Sequence, residues 1–308
     1  MNTLTTNLLT AFLAALLLVS LGNTQAIGQQ EQTSDQQTAE SNLTDEDRLQ
    51  IVVQKICPVS GSELGSMGEP VKVRVGEQIA YLCCAGCQGK NLDANHWATI
   101  QQRIAAAQGI CPIMEQPVNA TKKSTVVNGR QVFVCCPPCI PKIQADIDGS
   151  LAKVNSYNAA FIAKERQITS DKIHASAQAI CPVTGNELGS MGEPVKVKVG
   201  EEVAFLCSKE CVDQKIKAEH WMTIQTNLAA AQKICPVMQQ PINATKKSTI
   251  VNGRKIFVCC PPCIAKIEAD PATYVAKLDA QILDSRQESS ASQPAAASEH
   301  SSSHNHDQ

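Results

Sequence analysis

The chain has few aromatic residues and no excess of either charge. Aromatic side chains make up 3% of its 308 residues while 43% of the residues are hydrophobic, so any core must use Val, Ile, Leu and Ala. Such cores are expected to be shared among small units, which argues against one large enzyme-like core. The net charge of −2 and the scattered lysines provide no basic patch, so nucleic acid is not expected as a partner.

Recognisable catalytic motifs are also missing. The sequence shows no Ser-His-Asp order, no phosphate-binding glycine loop and no pair of carboxylates that recurs along the chain. The chain is therefore predicted not to be an enzyme.

The longest apolar run lies at the start of the chain, over residues 8–21, and small polar residues follow it. This pattern predicts an export signal over residues 1–26, cleaved after residues 24–26, and hence a periplasmic or secreted protein. The run is short for a membrane span, so no span is expected after signal removal. An uncleaved N-terminal anchor is the alternative. Residues 27–50 are polar and are predicted to be a disordered spacer.

The sequence superimposes on itself after a shift of 124 residues. Residues 57–83 and 181–207 are identical at 21 of 27 positions, and residues 111–139 and 235–263 at 23 of 29. Each half of this duplication contains two related modules, each with a Cys-Pro, a β-rich stretch and a Cys-x3-Cys. The protein therefore has four modules. Three cysteines are common to all of them: Cys57, Cys83 and Cys87; Cys111, Cys135 and Cys139; Cys181, Cys207 and Cys211; Cys235, Cys259 and Cys263.

An additional cysteine follows the second member of the triad in three modules. It is Cys84, Cys136 or Cys260, whereas module 3 has Ser208 at this position. These cysteines are either spare ligands or small buried residues beside the site.

Alternating segments and Asn-Gly signals predict a β-hairpin in each module, and apolar residues spaced three or four apart predict a helix after each Cys-x3-Cys. The expected fold class is α+β, with four small zinc-ribbon-like or treble-clef-like modules in two duplicated pairs. The predicted boundaries are 1–26 (signal), 27–50 (spacer), 51–108 (module 1), 109–154 (module 2), 155–178 (helical linker), 179–232 (module 3), 233–284 (module 4) and 285–308 (disordered His- and Ser-rich tail).

Three cysteines per module fit coordination of one ion better than they fit pairing. Thiolates bind Zn(II), Cu(I) and similar ions, and modules of this size usually need a metal or a disulfide to be stable. If both Cys-x3-Cys residues lie on the first turn of a helix, they face the same way, and the hairpin can fold the first cysteine back onto them. Disulfides that staple small exported domains are the alternative.

Candidates for a fourth ligand are few. Met114 and Met238 stand three residues after the first cysteine of the even modules, where a thioether could join a copper site or pack in a core. His96 and His220 lie two helical turns beyond the last cysteine of the odd modules, so helix capping is favoured over ligation. The terminal His300, His304 and His306 either capture metal weakly or belong to a solvated tail.

The pattern of one cysteine, a spacer and then Cys-x3-Cys resembles the YHS/TRASH group of small metal-binding domains. Residues 253–278, "GRKIFVCCPPCIAKIEADPATYVAKL", are similar to its typical ending. The resemblance implies that Cys235, Cys259 and Cys263 are metal ligands, and the repeat extends this to the other triads. The spacers of 25 and 23 residues are slightly longer than usual in that group.

The leading hypothesis is an exported, non-enzymatic protein whose four sites bind, buffer or hand over a soft or borderline metal ion, with Zn or Cu favoured. One alternative is a structural zinc scaffold for a protein partner at the cell envelope. Another is a thiol–disulfide redox protein, although no thioredoxin-like context is apparent.

Overall fold

The computed structural model of the protein describes residues 43–120, 123–242 and 247–291. The predicted signal segment and most of the predicted spacer lie outside these residues. The elements, in chain order, are α1 (Asp45–Gln54), β1 (Val71–Val75), β2 (Gln78–Leu82), α2 (Ala94–Gln108), β3 (Ser124–Val127), β4 (Arg130–Phe133), α3 (Cys139–Ala145), α4 (Ile147–Gln178), β5 (Val195–Val199), β6 (Glu202–Leu206), α5 (Ala218–Gln232), β7 (Ser248–Val251), β8 (Arg254–Phe257), α6 (Pro262–Ala269) and α7 (Pro271–Ala291).

Strands and helices are mixed, and each of the four predicted hairpins is present and is followed by a helix. All four hairpins are two-stranded and antiparallel, with Val71 paired to Leu82 in module 1 and Ser124 paired to Phe133 in module 2. In the even modules both residues of the Asn-Gly turn have positive φ, at 50° and 77° for Asn128 and Gly129. Two consecutive positive φ angles are typical of the tight hairpin turn that Asn-Gly favours.

The two hairpins of each pair dock tip to edge. The Ile79 N–H donates to the Gly129 carbonyl at 2.6 Å, and the Val203 N–H donates to the Gly253 carbonyl at 2.7 Å. A Cβ atom added at Gly129 would lie 2.6 Å from a side-chain carbon of Ile79. Glycine at the turn therefore serves both the turn geometry and the contact between modules.

Each module has one aromatic residue in its core, at the same position of the repeat. Each is buried two residues before the second cysteine of the triad, at Tyr81, Phe133, Phe205 and Phe257. Aliphatic residues such as Ile100, Ile143, Ile224 and Ile267 fill most of the remaining core.

A single long helix, α4, connects the two halves and contacts helices on both sides, namely α1 and α2 from the first half and α5 and α7 from the second. It includes the predicted linker 155–178 but begins earlier, at Ile147, where the Asp146 carboxylate accepts from the Gly149 N–H. The linker is therefore part of the packed helical layer of the protein.

The predicted limits of the two disordered segments are wrong. Helix α1 begins inside the predicted spacer 27–50 because Thr44 and Asp47 form a reciprocal capping box at its N-terminus. Helix α7 continues into the predicted tail 285–308 as far as Ala291. Ser285 is buried there, and its hydroxyl donates to the Ala231 carbonyl at 3.1 Å. Composition misses both helical segments because each depends on a specific polar contact, the capping box of α1 and the Ser285 hydrogen bond of α7.

Candidate metal centre

The structure brings the three shared cysteines of each module together. In each triad the three Sγ atoms all lie within 4.8 Å of one another. The second and third sulfurs are separated by 3.7, 3.9, 3.7 and 3.9 Å in modules 1 to 4. Tetrahedral thiolates with a Zn–S distance of about 2.3 Å would lie about 3.8 Å apart. The spacing therefore fits one shared ion per module.

The first cysteine is presented by a small closed turn. In module 1 the Cys57 N–H donates to the Ser62 carbonyl and the Gly61 N–H donates back to the Cys57 carbonyl, at 2.8 and 2.9 Å. A β-bridge between Ile56 and Glu63 closes the base of the turn, and the other modules have equivalent bridges. This turn holds the first sulfur over the end of the hairpin.

The second and third cysteines are not on one helical turn, so that part of the sequence prediction is wrong. Cys83 directly follows strand β2, and Cys87 ends a short 3₁₀ turn that runs from Ala85. Helix α2 begins only at Ala94. In the even modules a helix does begin at or beside the third cysteine, as with Cys139 in α3. The sulfurs meet because the chain bends sharply after each strand.

A buried glutamine that the sequence analysis did not single out connects the Cys-Pro turn of each site to the strand that leads to the Cys-x3-Cys. In module 1, Gln54 Nε2 donates to the Ile56 carbonyl at 2.9 Å and to the Tyr81 carbonyl at 2.6 Å, and its Oε1 accepts from the Tyr81 N–H at 2.9 Å. Gln54 precedes the first cysteine by three residues, and Tyr81 precedes the second by two. The amide therefore fixes the Cys-Pro turn against the strand that leads to the Cys-x3-Cys.

The same three contacts recur in every module. The corresponding glutamines, which we call the clamp glutamines, are Gln54, Gln108, Gln178 and Gln232. Their signal was present in the sequence as Gln-x-Ile-Cys-Pro in all four modules. A glutamine retained at one offset before four candidate ligand cysteines is unusual for a helix end, where Gly and cationic residues are the common choices.

The first cysteine of each triad is buried and yet has a lowered thiol pKa. Burial acts to raise the pKa of Cys57, but N–H groups of Ser60, Cys83 and Val59, and the Ser60 hydroxyl, donate to its sulfur and lower it to about 6. The equivalent pKa of Cys181 is about 7. The pKa is also lowered at Cys111 and Cys235. Each site thus contains a sulfur that backbone dipoles prepare to be a thiolate.

The third cysteine shows the opposite behaviour. Burial raises the pKa of Cys87 to about 12, and the neighbouring sulfurs of Cys83 and Cys57 contribute to this rise. Burial also raises the pKa at Cys139, Cys211 and Cys263. A negative first sulfur disfavours a second negative charge beside it, and a bound cation removes that repulsion. The arrangement can therefore take up a cation with release of protons.

The additional cysteine lies beside the triad in three modules and is partly exposed there. Cys136 Sγ is 3.3 Å from Cys139 Sγ, and Cys260 Sγ is 3.0 Å from Cys263 Sγ. In module 1, Cys84 Sγ is 3.9 Å from Cys83 Sγ. Each extra sulfur is close to one or two members of its triad, but none forms with all three of them a group whose atoms all lie within 4.8 Å of one another. They are therefore adjacent to the triads without completing a compact group of four.

The position three residues after the first cysteine differs between odd and even modules. Met114 and Met238 occupy it in the even modules with 51% and 52% of their surface exposed, so core packing is wrong for both. In the odd modules, Ser60 Oγ is 3.3 Å from Cys83 Sγ and Thr184 Oγ1 is 3.4 Å from Cys207 Sγ. The odd sites thus have a hydroxyl contact to sulfur where the even sites have a half-exposed thioether.

The two candidate histidines of the odd modules, His96 and His220, lie against the turn that carries the first cysteine. A Cβ atom added at Gly61 would be 2.6 Å from His96 Nε2, and one at Gly185 would be 2.8 Å from His220 Nε2. Within residues 43–120, 123–242 and 247–291, no histidine joins a group of three or more potential ligand atoms. The terminal histidines lie outside the described residues.

No protein-family profile, curated protein or solved structure matches this chain.

The fifteen cysteines all lie in the described part of the chain, and each is a free thiol there. No helix among the described residues is both long enough and apolar enough to cross a membrane.

Proposed function

We propose that the protein is an exported, non-enzymatic metal-binding protein that holds one soft or borderline ion in each module for buffering or handover. The observation that carries this proposal is the fourfold recurrence of three sulfurs within 4.8 Å of one another. Four copies of one sulfur arrangement are hard to explain by packing, since a buried cysteine can be replaced by any small apolar residue.

The all-sulfur donor set favours Zn(II) or Cu(I) as the bound ion. Thiolates select these ions over Mg(II) and Ca(II), which prefer oxygen ligands. Three sulfurs leave a tetrahedral zinc ion with one open position and satisfy a trigonal copper ion. An open position favours exchange, because an incoming ligand can bind before a protein ligand leaves.

Export, the absence of catalysis and membership of the YHS/TRASH type belong to the same proposal. Their support is the N-terminal apolar run, the absence of recurring catalytic motifs and the Cys-x3-Cys pattern. A protein partner at the envelope would receive or supply the ion, and nucleic acid is not proposed as a partner.

A structural role of the metal is the second candidate function, and the odd modules favour it. Their hydrophobic clusters are small and rich in cysteine, with Cys57, Cys83 and Cys87 accompanied by Leu82 as the buried members in module 1. Since only one fully buried residue other than cysteine belongs to this cluster, an ion there would add to the stability of the module itself.

The first test is a stoichiometry. The reduced chain is expected to take up about four equivalents of Zn(II) or Cu(I) with proton release, measured by elemental analysis after gel filtration. Cys259→Ser and Cys263→Ser should each remove about one equivalent, whereas Cys260→Ser, the matched control, should leave the count unchanged. Uptake of no metal would contradict the proposal, and loss of an equivalent in Cys260→Ser alone would move the site to the adjacent pair.

Chelator competition separates handover from a structural role. A handover protein should lose its metal rapidly to a moderate chelator while its helical circular dichroism signal persists. Coincident loss of metal and helical signal would support the structural zinc scaffold instead.

A further inference from the structure

The even modules contain a second pair of sulfurs that the metal triads do not account for. Cys136 and Cys139, and likewise Cys260 and Cys263, are separated by two prolines, and their Sγ atoms are 3.3 and 3.0 Å apart. A disulfide bond is about 2.0 Å long, so a movement of about 1 Å would bring either pair to bonding distance.

The prolines favour closure of these pairs. Pro138 and Pro261 have φ angles of −62° and −60°, close to the value that the proline ring imposes. Because the ring restricts the backbone before and after oxidation alike, closing the disulfide orders little additional chain. A Cys-Pro-Pro-Cys segment is therefore prepared for an intramolecular bond.

The two sulfurs of each pair differ in exposure. Cys136 and Cys260 are partly exposed, whereas Cys139 and Cys263 are 1% and 2% exposed. Thiol–disulfide exchange needs one thiol that an external disulfide can reach and a second one close enough to resolve the mixed disulfide. The exposed cysteine fits the first role and the buried cysteine fits the second.

The buried cysteine is shared between the two arrangements. Cys263 Sγ lies 3.0 Å from Cys260 Sγ and 3.9 Å from Cys259 Sγ, so it belongs to the dithiol pair and to the metal triad. A sulfur in a disulfide has lost the thiolate charge that binds metal. Oxidation of the pair would therefore leave only two ligands in the triad.

We propose that Cys136–Cys139 and Cys260–Cys263 are thiol–disulfide exchange sites whose substrates are small accessible disulfides, and that closing either disulfide releases the ion from the same module. The exposed thiolate attacks the external disulfide RSSR, forms a mixed disulfide and expels one RS⁻. The buried cysteine sulfur, which is a metal-bound thiolate in the loaded module and a thiol that must first lose its proton in the metal-free module, then attacks the exposed cysteine sulfur and expels a second RS⁻. Two cysteines are oxidised by two electrons, RSSR is reduced to two thiols, and the metal ion passes to solvent. The metal step rests on the proposed metal-binding function.

Module 3 provides a control within the same chain. Ser208 stands where the exposed cysteine would be, with its Oγ 3.7 Å from Cys211 Sγ. A hydroxyl cannot form a disulfide, so module 3 should keep its ion under the same conditions. The Cys84→Ser change would make module 1 equivalent in this respect.

The test uses the full zinc-loaded chain with Cys84→Ser, treated anaerobically with oxidised glutathione. About two of four zinc equivalents should appear on a chromophoric chelator, and peptide mass spectrometry should find the 136–139 and 260–263 disulfides. Adding Cys136→Ser and Cys260→Ser should slow release at least about tenfold. Circular dichroism checks that this variant remains folded.

Three results would overturn the proposal. They are zinc release at an unchanged rate in the variant that lacks both exposed thiols, disulfide formation without zinc release, and disulfides that form elsewhere in the chain. If the starting protein binds no zinc, the metal-binding function fails separately. Disulfide mapping of the metal-free chain then still decides the exchange reaction.

Discussion

The odd and even modules reach the same sulfur geometry through different local structures. In module 1 the triad is completed by a 3₁₀ turn and a hydroxyl touches sulfur, whereas in module 4 a proline-started helix carries the third cysteine. The second and third sulfurs are nevertheless 3.7 and 3.9 Å apart. A helix at the Cys-x3-Cys is therefore not what positions the site. The shared features are the closed Cys-Pro turn, the strand end and the clamp glutamine.

The largest expected effect tests what the modules share. Gln178→Ala in module 3 and Gln232→Ala in module 4 each remove three hydrogen bonds, two of them buried, and leave the strand's backbone groups without these partners. Each should lower the free energy of unfolding by about 2–4 kcal/mol. Denaturant unfolding and zinc competition would measure the losses of stability and affinity.

The matched control is Gln214→Ala, an exposed glutamine of module 3, which should change stability by less than about 0.5 kcal/mol. Equal losses in the two clamp variants would show that odd and even modules depend on the clamp alike. A large loss in only one of them would break that equivalence.

Most of the fold and part of the candidate site could be predicted from the sequence. The repeat, the Asn-Gly turns and the hydrophobic periodicity were sufficient to predict four hairpins with following helices. The spacing of cysteines identified the groups that could share an ion. The positions of Cys84, Cys136 and Cys260 could not be predicted, because they depend on bends after each strand and not on helical periodicity. The roles of Ser60 and Thr184 require three-dimensional contacts across the hairpin.

A smaller effect is expected from a residue that differs between the two halves of the repeat. His174 in α4 is buried against the Phe205 ring of module 3, and the same repeat position in the first half is Gln50. Burial, with Arg254 and Lys196 nearby, lowers the pKa of His174 to about 3 from 6.5. The unfolded chain therefore binds an additional proton between these pH values, so stability falls as pH falls below about 6.5.

His174→Gln should remove this dependence. Between pH 7.5 and pH 5, the wild type should lose about 2 kcal/mol more stability than the variant. Thermal unfolding of both proteins at the two pH values measures the difference. Gln50→Ala is the first-half control and should leave the pH slope unchanged, whereas parallel slopes for wild type and His174→Gln would contradict the prediction.

The smallest effect addresses the residue that distinguishes odd from even sites. Thr184→Val removes the hydroxyl 3.4 Å from Cys207 Sγ with little change of shape. The zinc affinity of module 3 should fall by about three- to tenfold, since a hydrogen bond to a bound thiolate contributes about 1 kcal/mol. The measurement needs a chain in which only this site remains, made by Cys57→Ser, Cys111→Ser and Cys235→Ser.

The even-module counterpart is Met238→Leu in a chain that keeps only module 4. Because the Met238 side chain is half exposed, zinc affinity should be unchanged. A selective loss of Cu(I) affinity would identify the thioether as a copper ligand and would make the difference between odd and even modules one of metal preference.

The position of helix α4 between the two halves shows how further repeats could be added to the chain. Its first turns follow module 2 as α7 follows module 4, and its last turns precede module 3 as α1 precedes module 1. One helix thus serves as the exit of one pair and the entrance of the next. A further pair of modules added through another such helix would contact only an adjacent pair, through the surfaces described above, since stacked repeats contact only adjacent copies. The number of candidate metal sites can then increase by copying a stretch of 124 residues, without any new type of contact surface.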